Sequence, residues 1–248
     1  MKTIYINGDS NTIGAELKCP LETTYCYLLA KKLNYTPIHN SAIGGASNDR
    51  IIRTTEQFLY KCQDQYPDFV LIGWSESERY DWFYEGEYRS ITPSDGVPVD
   101  YLQNKLSFEG NDNHGTWQKR ADWYRNFCKT PEYQYFISKY MHEKIYNLHL
   151  YLNFLNIPHL FLNTVRSFST DNKKMYRLKE FDIPHYNWNN RFWNPYNTNG
   201  SFLEWGVCSG YQETIYNHHK EDAHAHFADI LYDYIMNNNI LSCPSDNY

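Results

Sequence analysis

The chain begins with a short apolar run, Ile4-Tyr5-Ile6-Asn7, that leads straight into Gly8-Asp9-Ser10. A β-rich run ending in turn-forming residues predicts a buried strand that delivers Ser10 to a tight turn at its C-terminal end. Pro20 then precedes apolar positions at Leu21, Tyr25, Leu28 and Leu29, the spacing of one helix face. Thr36 to Asn40 predicts a second strand. Ser41 to Asn48 is a small-residue loop, with Asn48 placed to cap a helix carrying Ile51, Thr55, Phe58, Leu59 and Cys62. Asp68 to Gly73 is the continuous apolar run of a parallel strand covered on both faces. Strand and helix thus alternate as in a doubly wound α/β sheet, with right-handed crossovers.

From Trp74 to about Thr130 this rhythm breaks, in a stretch too long for a plain connection. It resumes with one long helix marked by Ile137, Met141, Ile145, Leu148, Leu152 and Leu155, then a strand from Pro158 to Asn163. A second irregular, aromatic stretch runs from about Val165 to Tyr216, before a last helix bearing Phe227, Ile230, Leu231, Tyr234 and Ile235. The pattern predicts a single domain over residues 1–240, a three-layer α/β/α sandwich around a central, mostly parallel sheet of about five strands. Insertions are expected over about 74–130 and 165–216, and a loose tail over 241–248.

Composition changes this picture in three places. Aromatic residues make up 18% of the chain, so the insertions supply rings that suit a local mini-core or an oligomer contact first and a sugar platform second. A net charge of −6 without a dense Lys/Arg cluster excludes a broad nucleic-acid footprint. The six cysteines, at 19, 26, 62, 128, 208 and 243, lack the paired short spacing of a zinc knuckle or a disulfide framework. No apolar leader and no window near the ~18 apolar residues of a membrane span is present, so synthesis in a cytoplasm without a signal peptide or membrane segment is expected. Later release or incorporation into a particle is compatible with that.

Three features converge on one edge of the expected sheet: Ser10 after the first strand, Gly44-Gly45 after the second, and Gly73-Trp74-Ser75 at the third. Acyl transfer needs a hydroxyl, a base for its proton and donors aimed at the developing oxyanion. His218, His219, His224 and His226 offer the base. A metal reading of His218, Asp222, His224 and His226 is disfavoured, because helix neighbours two apart point to different sides. The chemistry requires no cofactor. Asp9 reads as a turn and hydrogen-bonding residue, His224 as a packing residue, and Arg79 as a solvated charge before a partner for a carboxylate or anionic substrate.

These residues resemble the SGNH (GDSL) hydrolase family of esterases and acyl hydrolases. The resemblance covers Gly8-Asp9-Ser10, the loop from Asn40 to Asn48, the strand ending at Gly73 and the histidine-bearing segment before the last helix. It implies an SGNH/flavodoxin-like fold with Ser10 as nucleophile and oxyanion donor, and Gly45 (or Gly44, one register away) as a second donor. His218, followed by His224, Phe227 and Ala228, matches the family's base, with His219 the alternative. Two departures stand out. Ser75 occupies the position of the family's oxyanion-hole asparagine, and the usual acid before the histidine is replaced by Ile215 and Tyr216, leaving Glu213 as the nearest upstream carboxylate. The implied function is a serine esterase acting on small acyl esters, including O-acetyl carbohydrates, with no membrane or nucleic-acid partner and with self-association through the aromatic insertions. Acyl transfer to a sugar would use the same residues. The alternative is a degenerate domain of this fold serving as a structural or glycan-binding module of a larger assembly.

Overall fold

Alternation along the first strand decides how the layers are built. In the computed structural model, which describes residues 1–84, 87–91, 130–168, 184–214 and 218–243, strand β1 (Ile4–Asn7) is fully buried. Ile4 and Ile6 enter one core, with Tyr25, Leu29, Phe202, Phe227 and Leu231. Tyr5 enters the other, with Ile51, Leu59, Trp74, Ile145 and Phe161. Side chains on a strand point alternately to opposite faces, so a strand buried at every position is covered on both. Helices α3 (Tyr25–Lys32) and α7 (Glu221–Asn237) contribute to the first layer, and α4 (Asn48–Lys61) and α5 (Pro131–Phe154) to the second.

The central sheet has five parallel strands in the order β2-β1-β3-β6-β7, where β2 is Ile38–Asn40, β3 Phe69–Trp74, β6 His159–Asn163 and β7 Phe192–Trp193. This is the expected three-layer sandwich. The strand order reverses between β1 and β3, and the crevice outside the strand ends at such a switch point is where open α/β sheets bind ligands. The fifth strand lies inside the stretch expected to be irregular. It is only two residues long, too short for any periodicity to announce it. That stretch also contains α6 (Phe202–Cys208), capped by Ser201, whose hydroxyl accepts from the Glu204 amide.

Other boundaries differ from expectation for local reasons. The helix expected after Pro20 is divided into α2 (Pro20–Thr23) and α3, with Thr24 extended between them. Ser47, rather than Asn48, caps α4 by accepting from the Arg50 amide. The stretch after β3 continues into an antiparallel hairpin, β4 (Tyr80–Tyr84) and β5 (Glu87–Ile91). Residues 92–129, most of the first aromatic insertion, and 169–183, a part of the second, lie outside the described residues, as do 85–86, 215–217 and 244–248. The start of the expected tail is tied down, since Arg191 donates to the carbonyls of Ile240 and Ser242. Among the described residues no helix is long and apolar enough to cross a membrane.

Behind the sheet, a chain of buried histidines is held neutral. His159 Nδ1 donates to the Ile157 carbonyl (2.9 Å), so its Nε2 accepts from His149 Nδ1 (2.8 Å), and His149 Nε2 accepts in turn from the Asn153 amide (3.0 Å). His142 sits among Phe168, Tyr186 and Trp188, with Nε2 against the Tyr196 hydroxyl. Burial lowers His142 to about 3 and His149 to about 4, and His159 well below the ordinary imidazole value. The unfolded chain binds these protons below about pH 6.5 while the folded chain does not, so stability is intact above that pH and declines as pH falls toward 4. Each histidine contributes a slope of at most about 1.4 kcal/mol per pH unit. Urea denaturation between pH 7 and 4.5 should therefore show a falling midpoint, flattened in His142→Phe. A flat profile for the native chain would contradict this account.

Candidate active site

The edge at the switch point is assembled from Asn7 outward. The Asn7 amide nitrogen donates toward the Ile51 carbonyl (3.0 Å) and the hydroxyls of Thr54 (2.8 Å) and Thr55 (3.0 Å), while its Oδ1 accepts from the Gly8 amide (2.9 Å). β1 is thereby locked to α4 just before the turn. A Cβ on Gly8 would overlap Thr12 and the Gly73 carbonyl, and one on Gly73 would overlap Thr12, Thr164 and the Tyr25 hydroxyl. Glycine at both positions lets the short helix α1 (Ser10–Ile13) settle into the end of the sheet.

Asp9 is the N-cap of α1: its Oδ1 accepts from the Asn11 amide (3.0 Å). Its Oδ2 accepts from the Thr164 hydroxyl (2.9 Å), at the end of β6. The carboxyl is fully buried, which pushes its pKa up, with Arg79, Thr164 and the Asn11 amide opposing that shift. Asp9 is thus the hydrogen-bonding residue the sequence suggests. Ser10, the first residue of α1, keeps an amide without an acceptor among the described residues.

Across from it, Gly45 adopts φ 74°, a left-handed conformation that favours glycine, with open space before its Cα. Its amide is also without an acceptor among the described residues. Ser75 lies on the other side of Ser10 in strand order. Its backbone is paired reciprocally with the Asn48 side chain, amide to Oδ1 at 2.8 Å and Nδ2 to carbonyl at 3.1 Å. Its hydroxyl is buried without a partner. Asn48 therefore positions Ser75 instead of capping α4.

The histidines separate by environment. His218 Nδ1 lies 2.6 Å from Glu16 Oε2. A carboxylate only accepts, so Nδ1 carries the proton and Nε2 of the neutral ring is left with its lone pair. The same Glu16 oxygen accepts from the Thr214 hydroxyl, and the His218 amide donates to Thr214 Oγ1 (3.1 Å). His218 is close enough for its charge to act on Asp9, although no hydrogen bond joins it to Ser10 Oγ.

His219, the alternative base, is buried away from this edge. Its Nε2 donates to the Leu203 carbonyl (3.0 Å), and its ring packs on Phe202 and fills the space where a Cβ on Gly206 would stand. His224 caps α3 from a distance, its Nδ1 accepting from the Tyr25 amide (3.2 Å), and burial lowers it to about 3. His226 Nδ1 meets the Tyr211 hydroxyl (2.7 Å).

Glu213 does not orient His218. It is exposed and forms an isolated backbone bridge with His219. Glu16, which occupies that role geometrically, was not identifiable from the sequence: it lies 202 residues from His218 and reaches it from φ 68°, a conformation that an ordinary side chain seldom adopts. Arg79 is not a solvated charge either. Its side chain is 12% exposed and stands 3.7 Å from both Asp9 and Glu76. Beside α1, a cavity of about 470 Å³ is lined by Ile13 to Leu17, Pro20, Leu21, Tyr27, Asn40 and Ala42, so Glu16 borders it.

Removal of the Asp9 carboxyl should leave Arg79 short of a buried counter-charge and α1 without its cap. Asp9→Ala is expected to lower unfolding free energy by about 3 kcal/mol or more in urea titrations. A loss below about 0.5 kcal/mol would contradict the role given to this carboxyl.

Three solved structures align over nearly their whole length. TesA matches at a TM-score of 0.50 with 12% identity, covering 96% of this chain and 99% of its own. The psychrotrophic esterase EstA from Pseudoalteromonas sp., inhibited by monoethylphosphonate, matches at 0.46 with 14% identity and 96% and 98% coverage. A G-D-S-L family protein from Desulfitobacterium hafniense DCB-2 matches at 0.42 with 9% identity and 97% and 99% coverage. At 12% identity the likeness to TesA is one of fold. A search of the curated proteins finds no match. A family model matches residues 19–247, nearly the whole chain after the Gly8-Asp9-Ser10 turn, and the chain belongs to that family, a family of unknown function (DUF6071).

Proposed function

We propose that this protein is a serine ester hydrolase of the SGNH kind, acting on small acyl esters through Ser10, His218 and Glu16. The observation that carries the proposal is the 2.6 Å contact between His218 Nδ1 and Glu16, on the edge of the sheet that presents Ser10. A carboxylate on Nδ1 sets the tautomer in which Nε2 can take a proton, and it stabilises the imidazolium once formed. In this reading Ser10 Oγ attacks the ester carbonyl while His218 Nε2 takes its proton. The tetrahedral oxyanion receives donors from the Ser10 and Gly45 amides and the Ser75 hydroxyl. Collapse expels the alcohol with the proton held by His218, and water, activated by the same base, releases the acid from the acyl-serine.

Ser75 replaces the longer asparagine side chain expected at its position, but its hydroxyl is buried and unpaired, the state required of a donor kept for a transient oxyanion. The cavity beside α1 is bordered by Glu16, though its lining includes neither Ser10 nor His218. A carbohydrate alcohol carrying an O-acetyl group is the substrate we favour, on the aromatic content of the chain and the resemblance to this hydrolase fold.

Turnover of 4-nitrophenyl acetate tests the reading. Ser10→Ala and His218→Ala should lose activity to the uncatalysed level, Ser75→Ala about 10²-fold, and Glu16→Gln at least about 10-fold. His219→Ala should lower stability more than kcat, because His219 packs in the core. A fluorophosphonate should label Ser10 and no other serine. Equal rates for the native chain and Ser10→Ala would overturn the proposal and favour a binding or structural role for the domain.

A further inference from the structure

The cluster of charged groups beside Asp9 is incomplete. Arg79 turns back on Glu76 through a hydrogen bond from its amide to the Glu76 carbonyl (3.2 Å). Its guanidinium lies 3.7 Å from Asp9 Oδ2 through Nη1 and 3.7 Å from Glu76 Oε2 through Nε. Arg166, just beyond β6, approaches the other Glu76 oxygen at 3.5 Å. The 3.7 Å contacts are too long for hydrogen bonds. Arg79 Nε and Nη1 are both buried without an acceptor, and the Ser75 hydroxyl, in a residue only 5% exposed, is likewise buried and unpaired. Buried polar groups are nearly always satisfied, and a charged donor left without an acceptor is among the costliest exceptions.

The acceptors already present are committed elsewhere. Asp9 accepts from the Asn11 amide and the Thr164 hydroxyl, and Glu76 is shared between two guanidinium groups. Two permanent positive charges thus face one carboxylate that is shared and another that is buried and bonded to its own turn. The charges balance, and what remains open is donor capacity on Arg79, whose Nε and Nη1 are buried without an acceptor among the described residues. By strand order it lies on the β3–β6 side of Ser10, opposite Gly45, which follows β2.

We propose that Arg79 and Arg166 form a carboxylate-binding subsite on the β3–β6 side of Ser10, so that the preferred ester carries a carboxylate as well as the scissile acyl group. This rests on the reading of Ser10 as nucleophile. Arginine suits the task because its charge is permanent and its planar donors match carboxylate oxygens. Glu76, held between the two arginines, positions them and keeps the empty subsite from closing onto Asp9. The chemical class is an acidic ester: an O-acetylated uronic acid, if the carboxylate is in the alcohol half, or a dicarboxylic acid hemiester, if it is in the acyl half.

The test compares kcat/KM for acetylated methyl glucuronoside with its acetylated methyl glucoside counterpart, and for an aryl hemisuccinate with the aryl butyrate. The native chain should favour the acidic member of one pair at least 10-fold, and Arg79→Gln and Arg166→Gln should each reduce that ratio to near one. Arg166 is 30% exposed, so its variant decides the matter should Arg79→Gln fail to fold. Calorimetry on the Ser10→Ala protein is a second readout that needs no turnover. Methyl glucuronoside or succinate should bind, and binding should weaken at least 10-fold in Ser10→Ala/Arg166→Gln. Ser10-dependent turnover without acidic preference in either pair, together with no binding, would overturn the subsite alone. Arg166-dependent binding without Ser10-dependent turnover would retain the subsite and remove the hydrolase reading.

Discussion

The buried carboxyl of Asp9 is the constraint on which the rest of this edge depends. It joins three pieces of chain that the sheet brings together only at their ends: the turn after β1, through the Asn11 amide; the end of β6, through Thr164; and the segment after β3, through Arg79. Thr164 is itself bonded through its amide to the Trp74 carbonyl, so β3 and β6 are tied at the same point. A fully buried carboxyl is costly unless its oxygens are satisfied, and here each satisfying group comes from a different element. The requirement to satisfy Asp9 therefore fixes where Ser10 stands relative to β3 and β6. It also places a guanidinium within a few ångströms of the nucleophile's neighbour.

Much of the fold is legible in the chain because its period-2 and helical signals are local. β1, β3 and β6 are continuous apolar runs, and α5 and α7 have long stripes that outlast any local exception. What escaped was short or satisfied at a distance. β7 is two residues, below the length at which a period exists. The break between α2 and α3 is stabilised by His224, which caps Tyr25 from 199 positions away. The capping residue of α4 was misassigned by one position because Ser47 and Asn48 are both good caps, and only the demand of Ser75 for Asn48 decides between them.

The site divides along the same line. Ser10, Gly45 and Ser75 follow strands, so their convergence at one edge is implied once the strands are placed. The choice between His218 and His219 is a matter of one residue of register in a loop. The two rings differ in what they touch: a carboxylate for His218, a carbonyl and an aromatic core for His219. Glu16 had no sequence signal. Its partner is at the far end of the chain and its own backbone is left-handed, so neither motif spacing nor helix geometry could have selected it over Glu213.

Glu16 reaches His218 from a part of the chain that no motif spacing selects. An orienting carboxylate has to satisfy one geometric condition, an oxygen within hydrogen-bonding distance of Nδ1, and that condition does not specify where in the chain the residue lies. Here the carboxylate on Nδ1 is that of Glu16, which follows α1, and it accepts from the Thr214 hydroxyl as well. One Glu16 oxygen thereby meets both Thr214 and His218. The carboxylate that meets His218 thus comes from just after α1, although Ile215 and Tyr216 stand before the histidine. Because the carboxylate also borders the cavity beside α1, a ligand in that cavity would lie against the group that sets the histidine's tautomer.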